Sequence, residues 1–297
     1  MTAPAGSLSA ADLTAAETVA ATVTALFVPG DRPERFTKAA AAGAGVVIID
    51  LEDAVALESK SAALAAAVEA VAPSDDGAAL RALVRVNPPG SGHYDADITL
   101  LLSAAGTPGS GLLGIVVPKA EDAGGLRQLR AGMPPHLALV PLIESALGVV
   151  NALEMARVPG VTRLAFGAID FALDIDADGG DRFLDHARSQ LVLASRAAGI
   201  AAPLDSPSTH IKDSSKVTES ARLARNFGFG GKLCIHPAQL ASVHRAFAPT
   251  QADVEWAQSV IDAEGGATQV DGQMIDRPVT ERAKRILQRA GKKEQQQ

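Results

Sequence analysis

Short, continuously apolar runs recur along the chain at 25–28, 46–50, 82–86, 114–117, 138–143, 163–166, 200–203 and 232–235, each closed by a polar or Gly/Pro turn. They do not alternate apolar with polar residues, which is the pattern of strands covered on both faces. Longer Ala-rich stretches at 33–42, 58–70, 121–131, 146–157, 183–198 and 214–226 separate them and predict helices. Gly43, Gly132 and Gly199 stand where helix C-caps are expected. Eight strands with helices between them predict an α/β chain folded as a (β/α)8 TIM barrel. An open doubly wound sheet is the alternative, but no GxGxxG follows the first strand.

The pattern divides the chain into three parts. Residues 1–22, rich in Ala, Ser and Thr, predict a flexible N-terminal arm, and residues 23–249 the barrel. Residues 250–297 predict a C-terminal helical extension, with helices at 252–264 and 279–290, that covers a site or packs on a neighbouring subunit.

Composition narrows the function classes. Hydrophobic residues make up 47% and charged residues 21% of the 297, a globular balance. Aromatics are only 3%, so the core is built from Ala, Val, Leu and Ile. A net charge of -7 argues against nucleic acid as a partner, though not against a small anionic substrate held by a few local cations. The single Cys234 excludes an intrachain disulfide and a cysteine zinc site. Without a signal-like start or a run long enough for a membrane span, the chain reads as soluble and cytoplasmic.

In a TIM barrel, chemistry gathers where strands end. The polar residues at the predicted ends are Asp50, Glu52 and Asp53, then Arg85 and Asn87, Lys119, Glu144, Asp170, Asp205 and His236. Charges rarely end apolar strands unless paired or bound to a metal, so a ring of them points to a site. Glu144 and Asp170 follow consecutive strands and are the metal candidates, since two carboxylates with water and a chelating ligand suit Mg2+. The alternative is that Glu144 caps the following helix and Asp170 caps a turn. Arg85, on the apolar stretch VRVN, needs an anion. That anion is a substrate oxygen, a buried partner such as Asp50 or Glu52, or both. Asp50, Glu52 and Asp53 read as supports for Arg85 and for metal-bound water rather than as ligands. Arg32, Arg35 and Lys38, at the start of a helix after the first strand, suit phosphate groups, or else form a solvated face. His236 reads more readily as a hydrogen-bonding residue than as a base, and Asp276 alone reads as a turn acid.

FVPGDRPERF, VIIDLEDAV, VRVNPP, VPLIESALG, FGAIDF and CIHPAQ, in this order and at barrel spacing, together resemble the citrate lyase beta-subunit-like family of CoA-ester lyases, in the aldolase/citrate lyase superfamily. The resemblance runs from about Leu26 to about Leu287. It implies a Mg2+-dependent TIM barrel, assembled as a homotrimer or homohexamer. Such an enzyme cleaves or forms citryl, malyl, citramalyl or related 3-hydroxyacyl thioesters, with an acyl-CoA and a small 2-oxo acid as partners. It implies Glu144 and Asp170 as metal ligands, Arg85 as the substrate-binding arginine, and the segment from Arg32 to Lys38 as the CoA contact. DGQMIDRP is similar to the C-terminal pattern of the malyl-CoA lyase branch, which makes Asp276 an acid or base serving an adjacent subunit. The other readings are a metal-dependent aldolase acting on free pyruvate, and a barrel that binds acyl-CoA without turning it over.

Overall fold

The computed structural model describes residues 14–73, 79–177, 181–263, 269–270 and 273–294, in two compact units divided after Val243. The first unit opens with helix α1 (Ala15–Ala21) and strand β1 (Thr24–Pro29). There follow α2 (Phe36–Ala40), β2 (Val46–Asp50), α3 (Lys60–Val71), β3 (Ala82–Arg85), α4 (Tyr94–Ala105) and β4 (Leu112–Val117). Next come α5 (Ala123–Gly132), β5 (Ala138–Ile143), α6 (Ala146–Val150), α7 (Ala152–Ala156), β6 (Arg163–Phe166) and α8 (Ala168–Asp174). The barrel finishes with α9 (Leu184–Ala198), β7 (Ala201–Asp205), α10 (Ser214–Phe227), β8 (Gly231–Cys234) and α11 (Leu240–Phe247).

The eight strands close into a parallel barrel in chain order, β8 returning to pair with β1. This is the TIM barrel the alternation predicts. Strands β2, β5 and β6 have the predicted bounds, and the other five differ by a residue or two at an end. Ala25, Val46, Ile48, Leu83, Val116, Ala138, Val140, Leu142, Ala165, Leu204 and Leu233 pack into one buried cluster. Alanine, valine, isoleucine and leucine fill the interior, as in a barrel with few aromatics.

The N-terminal arm needs correction from Thr14 onward; residues 1–13 lie outside the described set. Thr14 caps α1 reciprocally with Glu17, each side chain bonding the other's backbone N–H. Val19, fully buried, joins the barrel cluster. The lock is Arg163, 1% exposed at the start of β6. Its Nη1 donates to the carbonyls of Val19 (3.0 Å) and Thr22 (2.8 Å), and its Nε and Nη2 donate to Ala202 O. Burial pushes its pKa down to about 9, still cationic at neutral pH. A predicted single helix at 146–157 is two, broken at Asn151, whose side chain donates to Glu121 O at 2.8 Å.

The second unit contains α12 (Gln251–Asp262), a hairpin of β9 (Gln269–Val270) and β10 (Gln273–Met274), and α13 (Arg277–Glu294). Its core joins Ala257 and Val260 of α12 to Ala283 and Ile286 of α13. The unit begins at His244, before the boundary after 249 read from the sequence. No helix among the described residues is long and apolar enough to cross a membrane.

Candidate active site

Side chains alternate faces along a strand, so residues two beyond an interior position continue the interior lining. Ile48, Leu83, Leu142, Ala165 and Leu204 belong to the interior cluster. Asp50, Arg85, Glu144, Gly167 and Ser206 follow each by two and form the next layer, at the C-terminal mouth. All of them are buried.

Arg85 is held on two sides. Its Nε and Nη2 donate to the two oxygens of Asp50, both at 2.7 Å, a bidentate pair. Its Nη1 lies 2.8 Å from Glu52 Oε2 and 3.7 Å from Asp53 Oδ2, and the guanidinium sits 4.8 Å from the centre of the Phe27 ring. Burial works against its charge, but the hydrogen bonds and charge of Asp50, then of Glu52, outweigh burial and raise its pKa. Asp50 also accepts from Glu52 N at 3.0 Å, and Lys60 Nζ donates to the carbonyls of Leu51 and Glu52 at 2.7 Å. The loop after β2 is thereby fixed, and all three acids lie within ion-pair distance of Arg85. Asp53 is the outermost, with its side chain exposed.

Glu144 is 3% exposed, and its Oε1 accepts the Lys119 backbone N–H at 2.7 Å. Burial, then the charges of Glu52 and Asp170, push its pKa up to about 8. Glu52 is likewise raised, by burial first and by Asp53 in addition, against the pull of Arg85. Its oxygens are buried at ion-pair distance from Arg85 and from Lys119 Nζ (3.3 Å), but neither receives an aligned hydrogen bond. Gly167 leaves the space beside Glu144: a Cβ there would lie 2.5 Å from Oε2 and 2.7 Å from the Glu144 Cβ. Asp170 stands in the first turn of α8, whose Ala168 N–H donates to Ser206 Oγ at 3.1 Å.

Five carboxylates (Asp50, Glu52, Asp53, Glu144 and Asp170) thus gather around two cations, Arg85 and Lys119. The surplus is negative, the donors are oxygen, and the Glu52 oxygens still lack aligned donors. That set fits a hard divalent cation and its bound water, with Glu144 and Asp170 as the residues that could hold it. Among the described residues no group of three or more His, Cys, Asp and Glu forms a larger metal cage.

Three ring members, Asp205, His236 and Asn87, make their contacts away from this cluster. Asp205 follows interior Leu204 by one residue and so faces outward. It pairs with Lys232 at 2.7 Å and Arg188 at 3.5 Å, all buried between barrel and helices. His236 is exposed, and its Nδ1 accepts the Ala238 N–H, so it caps a short 3-10 turn. Asn87 is buried against Asp97, donating to Oδ2 at 2.8 Å from both its backbone and its side chain. Arg32, Arg35 and Lys38 are exposed after β1. In the second unit, Asp276 is exposed and its Oδ1 accepts Val279 N at 3.1 Å, which caps α13. The sequence reading assigned no role to Gly167 or Lys119. The signal was present: FGAID places a glycine two residues after interior Ala165, and VPK sets a lysine two residues beyond β4.

A family model described as HpcH/HpaI aldolase/citrate lyase matches residues 23–237, and another, described as C-C_Bond_Lyase of the TIM-Barrel fold, matches 185–292. A citrate lyase subunit beta-like protein of Deinococcus radiodurans is 37% identical over 278 residues, covering 88% of this chain and 95% of its own. A (3S)-malyl-CoA thioesterase of Cereibacter sphaeroides is 32% identical over 260 residues, with 84% and 88% covered. The crystal structure of CitE from Mycobacterium tuberculosis, in complex with magnesium, acetoacetate and coenzyme A, superposes with a TM-score of 0.78. It is 36% identical and covers 91% of this chain and 98% of that one.

Proposed function

The chain belongs to the HpcH/HpaI aldolase/citrate lyase family, and from that premise we propose that it cleaves, or in reverse condenses, a 3-hydroxyacyl-CoA such as malyl-, citramalyl- or citryl-CoA, giving an acyl-CoA and a 2-oxo acid. It is a carbon–carbon lyase, and its metal cofactor is Mg2+. The observation that carries the proposal is the buried Arg85, clamped by Asp50 and Glu52 beside Glu144 and Asp170 at the barrel mouth.

Glu144 and Asp170 would hold the Mg2+, with Glu52 placed to accept from its water. When bound, the metal supplies Lewis acidity that lowers the pKa of the 3-hydroxyl and polarises the developing ketone. Asp50 occupies Nε and one Nη2 hydrogen of Arg85, and Glu52 faces Nη1. The remaining N–H groups of this fixed guanidinium are free to take a substrate carboxylate or thioester oxygen. Asp276 of an adjacent subunit takes the hydroxyl proton. The O–H electron pair becomes the new C=O bond, and the C2–C3 pair passes to C2 as the thioester enolate, which a proton then quenches. Arg32 and Lys38 receive the CoA phosphates. A homotrimer or homohexamer is part of the proposal and is read from light scattering.

The test is a pair of variants. Glu144→Ala and Asp170→Ala should each abolish Mg2+-dependent cleavage; activity retained in both removes the metal assignment. The likeness to a malyl-CoA thioesterase favours a second reading, hydrolysis of the thioester itself, which differs by releasing free CoA thiol.

A further inference from the structure

Lys119 departs from the rest of the mouth in three ways. It stands two residues beyond the end of β4, and its backbone is left-handed, φ 47, in a residue that is not glycine. Such a conformation costs about 1–3 kcal/mol and persists where its surroundings demand it. What it achieves is specific: the amide N–H points at Glu144 Oε1 and bonds it at 2.7 Å. The side chain serves a different acid, with Nζ 3.3 Å from Glu52 Oε1.

The two cations of the mouth also differ in how free they are. The Arg85 side chain is 11% exposed and pinned by Asp50 at 2.7 Å on two atoms. The Lys119 side chain is 49% exposed and has one long contact that is not aligned as a hydrogen bond. An ammonium carries three donors on a flexible stem, so at least two are left over.

We infer that Lys119 is a substrate-binding residue of this site: its ammonium takes an anionic oxygen of the oxo-acid portion of the substrate, while its left-handed amide holds Glu144 for the metal. The inference rests on the proposed lyase reading and adds a residue to it. The division of labour explains the strain. In this left-handed turn one residue serves two carboxylates, Glu144 through its amide and Glu52 through its ammonium. The charge of Glu52 keeps the ammonium in the mouth until an anion arrives.

The division makes the inference separable by substitution. Lys119→Gly keeps the N–H and favours the positive φ, but deletes the ammonium. Lys119→Met keeps the stem alone, and Lys119→Arg keeps the charge. Calorimetric titration of wild type and variants is made first with Mg2+, then with pyruvate at saturating Mg2+. Lys119→Gly should keep Mg2+ affinity within about threefold while pyruvate affinity falls about tenfold or more, the weight of one charge-assisted hydrogen bond. Lys119→Met should lose as much, and Lys119→Arg should recover most of it. Pyruvate affinity unchanged in Lys119→Gly and Lys119→Met overturns the inference and leaves the lyase reading standing. Mg2+ and pyruvate affinity falling together in Lys119→Gly also overturns it, because the ammonium would then act through the metal site. Wild type that with Mg2+ binds neither pyruvate nor, in the same titration, glyoxylate or oxaloacetate overturns the lyase reading along with it.

Discussion

Single residues carry more of this site than their chemistry suggests. Gly167 is there because a methyl group would meet Glu144 Oε2 at 2.5 Å. Gly167→Ala should therefore displace that carboxylate. A loss of about 1–3 kcal/mol in urea unfolding is expected, with Mg2+ affinity in calorimetry falling about tenfold or more. Asp276 caps α13 through Val279 N–H. Asn caps a helix about as well as Asp, so Asp276→Asn should leave the melting temperature unchanged. Its kcat should nevertheless fall at least tenfold if the carboxylate moves the proton. An unchanged kcat leaves Asp276 as a cap only. Cys234 is fully buried, and burial raises its thiol pKa to about 12. Iodoacetamide at pH 8 should leave it intact in the folded enzyme and alkylate it in 8 M urea. The residue scale is also where sequence reading was least complete. Strand ends located Arg85, Glu144 and their acidic neighbours, but position at a strand end ignores the period of two. Counting from interior Leu204 would have turned Asp205 outward, into its pair with Lys232.

Elements were legible where their burial was simple. β2, β5 and β6 are buried at every position, charged Asp50 and Arg163 included, and their predicted bounds are those of the strands. α4 was passed over because it opens on Tyr94 and Asp95 and buries only Asp97, Leu101 and Ala105, a narrow stripe that includes an acid. α8 is seven residues long and exposes Ile169 and Leu173, so no amphipathic period marks it. α1 was readable and overlooked: Thr14 and Glu17 form the T-x-x-E signature of a capping box. Its anchor, however, is Arg163, far along the chain and visible only after folding. Arg163→Met should strip the buried carbonyls of Val19, Thr22 and Ala202 of their side-chain donor, leaving Val19 O only the long bond from Thr22 N–H. The expected cost is about 2–4 kcal/mol in urea unfolding. Because this lock belongs to the start of β6 rather than to the C-terminal mouth, kcat of the folded fraction should not change. A fall in kcat at constant fraction folded would show that the floor of the barrel communicates with its mouth.

At the scale of the whole molecule, alternation of strand and helix was sufficient for the barrel because the strands are buried along most of their length. The chemistry at the mouth is a matter of charge balance. Five carboxylates around two cations leave a site that favours a divalent cation and an anionic substrate bridged by it. The direct measurement is to offer purified protein malyl-, citramalyl-, citryl- and 3-hydroxy-3-methylglutaryl-CoA, with and without Mg2+, following 2-oxo acid, acyl-CoA and free thiol together. The account predicts that one of them yields oxo acid and acyl-CoA in equal amounts, only with Mg2+ and without free thiol. Free thiol in place of oxo acid, or aldol activity on free pyruvate with every thioester left intact, would contradict it.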